Sequence, residues 1–429
     1  MSALPIHPVS HPIEGTIRVP GSKSITNRAL LLAALCDGHS RLEGALFSDD
    51  TRYMEVALNQ LGIEVRADEK AKTFEIEGRG GTFPVAEAEL FLGNAGTATR
   101  FLTAALCLGN GTYFIDGIPR MRQRPIGDLL GALSELGADI SSQNNCVPLE
   151  IRAAGLRGGN VSIRGDASSQ FLSALLLVAP KTRDGLEIEI DGPLFSKPYV
   201  EMTLQMLHQW GAQSENDDLQ TFRVAGGQNL TAQTYVIEPD ASSASYFFAA
   251  AAVTGGKIRV KNLGKDALQG DVAFVDVLEK MGCAVKKGKN YVEVEGPEDG
   301  KLRGVAVDMN AISDCVMTLA AIAPFADAPV EIHNVAHIRG KETDRISALA
   351  TELGRLGVKI EEKADGLTIF PAKRLKRASI KTYDDHRMAM SFAITALKSP
   401  GIEIRDPGCV AKTYPDFFED LEKLCRKAR

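Results

Sequence analysis

Five stretches of this chain end a helical pattern in the same way. LNQLGIEV, LSELGADI, LHQWGAQS, LEKMGCAV and LGRLGVKI each place a glycine after an apolar residue and then resume as a short strand pattern. Those glycines are Gly62, Gly137, Gly211, Gly282 and Gly357, spaced 71–75 residues apart. Glycine just past a helix is the expected left-handed terminator, because it enters that backbone region without steric cost. A second series recurs out of phase with the first. Polar openings SITNR, GTATR, SSQ, SSAS, SDC and DHR begin at Ser24, Gly96, Ser168, Ser242, Ser313 and Asp385, 71–74 residues apart, each ahead of an Ala/Leu-rich run. Segments such as TYFIDG, LEIEIDG, KIRVKNL, VEIHNV and IEIRDP follow, and their period of two marks strands with one buried face.

A sixfold period constrains the fold more than any local propensity. Each unit of about 72 residues carries two helices and several strands. The first helix of each unit (ALLLAAL, FFAAAAV, MTLAAIA) is apolar nearly all round and belongs inside. A unit of that size seldom folds stably alone. Three units around a common helical core make one domain, and six make two, with the break near Glu238-Pro239-Asp240. The expected class is α/β (α+β). A scaffold without chemistry and a ring-shaped clamp on nucleic acid are the other repeat architectures to weigh. A clamp needs Lys and Arg spread over many helix faces. Here 49 Lys and Arg stand against 55 Asp and Glu, a net charge of −6, and the basic residues gather at helix beginnings.

Seven cysteines without a Cys-x-x-Cys argue against a disulfide framework or a zinc site and fit a reducing cytosol. The first 15 residues, MSALPIHPVSHPIEG, lack the pattern of a secretory signal. The longest apolar runs, such as FLSALLLVAP, fall short of the roughly 20 residues a membrane span needs. A soluble, cytoplasmic protein acting as a monomer is expected, with no membrane or nucleic-acid partner.

The helix beginnings carry the chemistry. Ser, Thr, Asn and Asp there serve as caps. Capping does not explain Lys23, Arg28 and Arg100 in first turns, where the helix dipole disfavours cations. An anion is expected nearby, as in phosphate sites at helix N-termini. IPRMRQRP adds Arg120, Arg122 and Arg124; HIRGKETDRIS adds Arg339, Lys341 and Arg345 among Glu342 and Asp344. TYDDHRMAM adds Asp384, Asp385, His386 and Arg387, and VAKTYPDFF adds Lys412. Cationic loops at equivalent points of a repeat suggest one electropositive pocket for a small polyanion bearing phosphate and carboxylate. There is no P-loop G-x-x-x-x-G-K-[ST], and GNAGTATR lacks the Rossmann spacing. DDHR has no second cluster to complete a metal site, so no metal or cofactor is expected. Acid–base work by carboxylates in a cationic site remains. Asp314, at the start of the fifth apolar helix, and Glu342, between Lys341 and Arg345, are candidates; as a cap and an ion-pair partner they also have structural readings.

At these residues the chain resembles the enolpyruvyl transferase family, and closely its EPSP synthase (3-phosphoshikimate 1-carboxyvinyltransferase) branch. The matching stretches are PGSKSITNRALLLAAL, LGNAGTATRFL, DGIPRMRQRPIGDLL, GDASSQFLSALL, GKETDRI, YDDHRMAM and AKTYPDFFEDL, which reach across nearly the whole chain. The resemblance implies a two-domain inside-out α/β barrel of six βαβαββ-type repeats, three per domain. One domain takes residues 21–239. The other takes 1–20 with 240–429, so that the chain crosses twice and the active site lies in the interdomain cleft. It implies transfer of the enolpyruvyl group of phosphoenolpyruvate to the 5-hydroxyl of shikimate 3-phosphate, without a cofactor. Lys23, Asn94, Gly96, Arg124, Gln170, Arg345, Arg387 and Lys412 would hold phosphoenolpyruvate. Lys23, Ser24, Arg28, Ser168, Ser169, Gln170, Ser196, Tyr199, Asp314, His337 and Lys341 would hold shikimate 3-phosphate. Asp314, Glu342 and Lys23 would be catalytic. Lys23, Arg124, Arg345 and Lys412 are expected to share one cavity.

Two positions depart from the family pattern: His337 where Asn is frequent, and Phe101 where many relatives have Pro. Glycine at 96 implies sensitivity to glyphosate. The sister transferase acting on UDP-N-acetylglucosamine usually carries a reactive Cys in the loop equivalent to IPRMRQRP, and no Cys lies between Cys107 and Cys146. A non-catalytic small-anion binder would need the cations but neither Asp314 nor Glu342.

Overall fold

The first helix starts where the polar opening supplies a cap. In the computed structural model, which describes residues 3–297 and 300–426, Ser22 Oγ accepts from Ile25 N and α1 runs Lys23–Leu35. The other helices are α2 (Asp49–Gln60), α3 (Gly96–Leu106), α4 (Gly127–Glu135), α5 (Ser169–Val178), α6 (Lys197–Gln209) and α7 (Ala241–Thr254). Then come α8 (Phe274–Lys280), α9 (Val316–Ile322), α10 (Arg345–Arg355), α11 (His386–Ala396) and α12 (Phe417–Cys425).

Odd and even helices differ in kind. Every residue of α3, α9 and α11 is buried, as is every residue of α7 up to Val253. Fully burying an aliphatic or aromatic side chain is worth about 1.5–3 kcal/mol, so these apolar helices form the core. Even helices bury one face: in α10, Arg345, Ile346, Ala348, Leu349, Glu352 and Leu353 are buried and the rest are not. Five even helices end on the recurring glycine. Gly62, Gly137, Gly211, Gly282 and Gly357 have φ between 81° and 101°. In each case the following residue's N–H returns to a carbonyl five positions back, as in Ile63 N to Leu58 O and Val358 N to Leu353 O, which is the Schellman geometry.

Among the described residues the strands form six sheets with one pairing rule. Asn110–Asp116 shows it: it pairs parallel with Glu87–Phe91 and antiparallel with Leu149–Ala154, which pairs antiparallel with Asp139–Ser142. Four other sheets repeat this order. The sixth pairs Ile402–Arg405 parallel with Ala378–Ile380 and takes its antiparallel neighbour, Ala3–Ile6, from near the chain's beginning.

The chain divides into two compact units, one of Gly21–Ile237 and one of the residues up to Pro20 with those from Glu238 onward. Each closes on itself. In the first, Thr234–Val236 pairs parallel with Asp37–Glu43; in the second, Glu14–Ile17 pairs parallel with Lys257–Lys261. Helices α1, α3 and α5 pack together in the one, and α7, α9 and α11 in the other.

The fifth opening departs from the expected form. Asn310–Cys315 is a 3-10 turn, and α9 begins only at Val316 with Cys315 as its cap residue. Asp314 is therefore not the cap residue of α9; its carboxylate faces two arginines. The helix expected near Pro125 begins at Gly127. No helix among the described residues is long and apolar enough to cross a membrane. The seven cysteines are free thiols.

Candidate functional site

In the unit Gly21–Ile237 the candidate residues gather at the N-termini of α1, α3 and α5. Lys23 opens α1, and its Nζ lies 3.2 Å from the buried carboxylate of Asp50 at the start of α2. Arg28, one turn further, is almost wholly buried. Its Nε donates to Thr203 Oγ1 (2.8 Å), Nη1 to Ser24 O (3.0 Å), and Nη2 to Ser173 Oγ (3.1 Å) and Tyr199 O (3.2 Å). Its guanidinium also lies 5.1 Å from the Phe101 ring centroid. Burial lowers its pKa to about 9. One side chain thus ties α1 to α3, α5 and α6. Phe101, the departure from the family pattern, is fully buried in that contact.

Gln170 Nε2 donates to Thr97 Oγ1 (3.3 Å), joining the first turns of α5 and α3. Ser168 caps α5, accepting from Gln170 N, and Ser169 is buried beside it. Arg124, also buried, donates from Nη1 to Asn94 O (3.1 Å) and Oδ1 (3.2 Å). It crosses the start of α3 so closely that a Cβ on Gly96 would stand 2.5 Å from its Nη2. Arg100 donates to Gly96 O and Pro125 O. Ser196 sits in the left-handed region (φ 52°) just before α6 and is buried, with Tyr199 half-buried one turn on.

In the other unit a charged network surrounds Arg345, the first residue of α10. Its Nε donates to Asp385 Oδ2 (2.8 Å), Nη1 to Asp314 Oδ1 (3.1 Å) and Nη2 to Glu342 Oε2 (2.8 Å). Burial opposes its charge, but the carboxylates of Asp385, Glu342 and Asp314 outweigh that cost and raise its pKa. Arg387 Nη2 donates to Asp314 Oδ2 (2.6 Å), and its Nη1 to Tyr246 OH (3.4 Å). Lys412 Nζ lies 4.0 Å from Glu342 Oε1. Asp314 keeps 20% of its side chain exposed, Glu342 only 7%. His337 is held neutral, its pKa pushed down to about 3 by burial and by Lys341. His386 is fully buried in the first turn of α11. Asp384 has a raised pKa from burial, moderated by Lys412.

So the geometry brings Lys23, Ser24, Arg28, Asn94, Gly96, Arg124 and Gln170, with Ser168, Ser169, Ser196 and Tyr199, into one unit's helix beginnings. It brings Asp314, Glu342, Arg345, Arg387 and Lys412, flanked by His337 and Lys341, into the other's. Arg120, Arg122 and Arg339 are not buried; Arg122 pairs with Asp116, and Arg339 with Asp344 and Glu362. Sequence reasoning missed Asp50 and Tyr246. Asp50 reads as an ordinary acidic residue in a first helical turn, and Tyr246 as one more core aromatic. Neither carries a signal of its own. Among the described residues no group of three His, Cys, Asp or Glu is placed to hold a metal ion.

Solved structures show which fold this is. An EPSP synthase structure from Acinetobacter baumannii superposes with a TM-score of 0.82 at 23% identity, covering 99% of this chain and 98% of that one. The chain thus has the mixed α/β fold of those enzymes. The curated relatives include the 3-phosphoshikimate 1-carboxyvinyltransferases of Trichormus variabilis, 50% identical over 99% of each chain, and Proteus mirabilis, 49% identical over 99% of each. The family model for EPSP synthase (3-phosphoshikimate 1-carboxyvinyltransferase) matches residues 8–421, and the chain belongs to that family.

Proposed function

We propose that this protein is a transferase that moves the enolpyruvyl group of phosphoenolpyruvate to the 5-hydroxyl of shikimate 3-phosphate and releases phosphate, in aromatic amino acid biosynthesis. Family membership over the full length supports the reaction. The observation that carries the chemistry is Asp314, whose two carboxylate oxygens accept from Arg345 and Arg387 while part of the side chain stays exposed.

Proton transfer to C3 of phosphoenolpyruvate leaves C2 electrophilic. The 5-hydroxyl adds to C2 as a carboxylate takes its proton, giving a tetrahedral intermediate. Loss of the C3 proton then re-forms the double bond and expels phosphate by C–O cleavage. No phosphoryl group passes to the acceptor. In this reading Asp314 faces the reacting hydroxyl, and Glu342 and Lys23 manage the methylene proton. Arg124, Arg345, Arg387 and Lys412, with Lys23, Asn94, Gly96 and Gln170, hold phosphoenolpyruvate. Ser24, Arg28, Ser168, Ser169, Ser196, Tyr199, His337 and Lys341, with Lys23, Gln170 and Asp314, hold shikimate 3-phosphate. Both ligands carry a phosphate and a carboxylate, and fixed guanidinium groups neutralise such charge without reorganising.

We also read each unit as three βαβαββ-type repeats with helices inward and sheets outward. The common sheet order and the buried odd helices support this. The deciding experiment measures phosphate release from phosphoenolpyruvate. Release only when shikimate 3-phosphate is present supports the reaction; no release with it present refutes it.

A further inference from the structure

Helix α10 grips the turn ahead of α11 at two points. Arg345 and Glu352 are seven residues apart, two turns along one face. Arg345 reaches Asp385 from one end. Glu352, fully buried, reaches the same chain segment from the other: Oε2 accepts from Lys381 N (3.1 Å) and Oε1 from Tyr383 OH (2.7 Å). Its contact with the half-exposed Arg355 (3.3 Å) adds little.

The segment between the two grips is under backbone strain. Tyr383 and Asp384 are consecutive non-glycine residues at φ 57° and 56°. Such conformations persist only where the surroundings over-determine them. Asp385 N then bonds back to Thr382 O (2.9 Å), and Asp385 Oδ1 accepts from Arg387 N (2.9 Å). The Lys381 ammonium lies over the Tyr383 ring, 4.7 Å from its centroid. The turn thus decides where Asp385 holds Arg345 and where Arg387 leaves the backbone.

We infer that Glu352 is a positioning residue for the reaction: its buried carboxylate holds the strained Tyr383–Asp384 turn and so sets the two guanidinium groups, Arg345 and Arg387, that flank Asp314. It touches none of the candidate ligand-binding side chains; it acts through the main chain. The inference rests on the reading of Arg345 and Arg387 as phosphoenolpyruvate ligands.

The test is a double-mutant cycle of Glu352→Gln and Tyr383→Phe, measured by KM for each substrate, kcat and thermal midpoint. Glutamine keeps the volume but can present an acceptor to only one partner. Phenylalanine keeps the ring and removes the hydroxyl that donates to Glu352, so it remains informative if Glu352→Gln folds poorly. Each variant is expected to raise KM for phosphoenolpyruvate about 5- to 30-fold, to leave KM for shikimate 3-phosphate within about twofold, and to combine with the other less than multiplicatively. A residue that only supports the fold would lower the midpoint and leave both KM values of the folded enzyme unchanged; that result overturns the inference. Arg345→Lys is the control for the underlying reading. If it leaves KM for phosphoenolpyruvate unchanged, the ligand assignment itself is wrong and the inference falls with it.

Discussion

Replacing Gly96 by alanine is the sharpest probe of the phosphoenolpyruvate assignment, because Arg124 crosses that position so closely. The added Cβ would stand 2.5 Å from Arg124 Nη2 and 2.9 Å from Arg100 Nη1. Ordinary van der Waals contact begins at 3.4 Å, so the Arg124 guanidinium must retreat by about 0.9 Å. That retreat moves the guanidinium from the place where its Nη1 donates to Asn94 O and Oδ1 at 3.1 and 3.2 Å. The helix itself does not object: alanine at a helical position is favoured over glycine by up to about 1 kcal/mol. The cost therefore falls on the ligand. A charge-assisted hydrogen bond is worth about 1.5–3 kcal/mol, or roughly 10- to 150-fold in affinity. Steady-state kinetics should show KM for phosphoenolpyruvate raised within that range. KM for shikimate 3-phosphate should stay within about twofold, since Ser24 and Arg28 are not displaced. The wild-type chain should be inhibited by glyphosate, and the variant much less so if that dianion shares Arg124. Unchanged KM for phosphoenolpyruvate in a folded Gly96→Ala enzyme would refute the placement of Arg124 on that substrate.

Asp314→Ala and Glu342→Ala should each lower turnover at least ~100-fold while equilibrium binding of both substrates persists, as rapid-quench kinetics and calorimetry can separate. Arg28→Lys removes a fork that serves four acceptors; we expect a loss of about 1–3 kcal/mol, read as a fall in thermal midpoint, together with weaker shikimate 3-phosphate binding. His337 has a folded-state pKa near 3 against an ordinary value of 6.5. The unfolded chain therefore takes up the proton first, so stability contributed by the neutral ring is complete above about pH 6.5 and is lost as pH falls towards 3, at up to about 1.4 kcal/mol per pH unit. His337→Asn should flatten the denaturation midpoint across that window; an unaltered pH profile would contradict the burial of the ring.

The features legible in the sequence were those whose physics is local. The five terminating glycines could be recognised because the left-handed conformation at a helix end depends on the residue standing there. The odd helices could be recognised because a run without a polar face has nowhere to go but inside. Lys23, Arg28 and Arg100 stood out because a cation in a first helical turn contradicts the helix dipole. Asp314 was legible as a candidate but its surroundings were not: the cap reading gave way to a 3-10 turn that aims it at Arg345, 31 residues on, and Arg387, 73 residues on. Glu352 carried no signal at all, since a glutamate within a helical pattern reads as one more solvated charge until packing buries it.

By itself, then, the order of residues determined the period, the helix and strand beginnings and ends, and which side chains were chemically out of place. Only the tertiary structure decided which charges meet. Backbone conformation is governed by interactions within a few residues. Arg28 with Ser24 and Arg345 with Glu342 pair between near neighbours in the chain, but the remaining partners of Lys23, Arg28, Arg345 and Arg387 are set by how buried helices pack. Pairing such as Lys23 with Asp50, 27 residues on, or Arg28 with Thr203, 175 residues on, leaves no trace in the local sequence around either member.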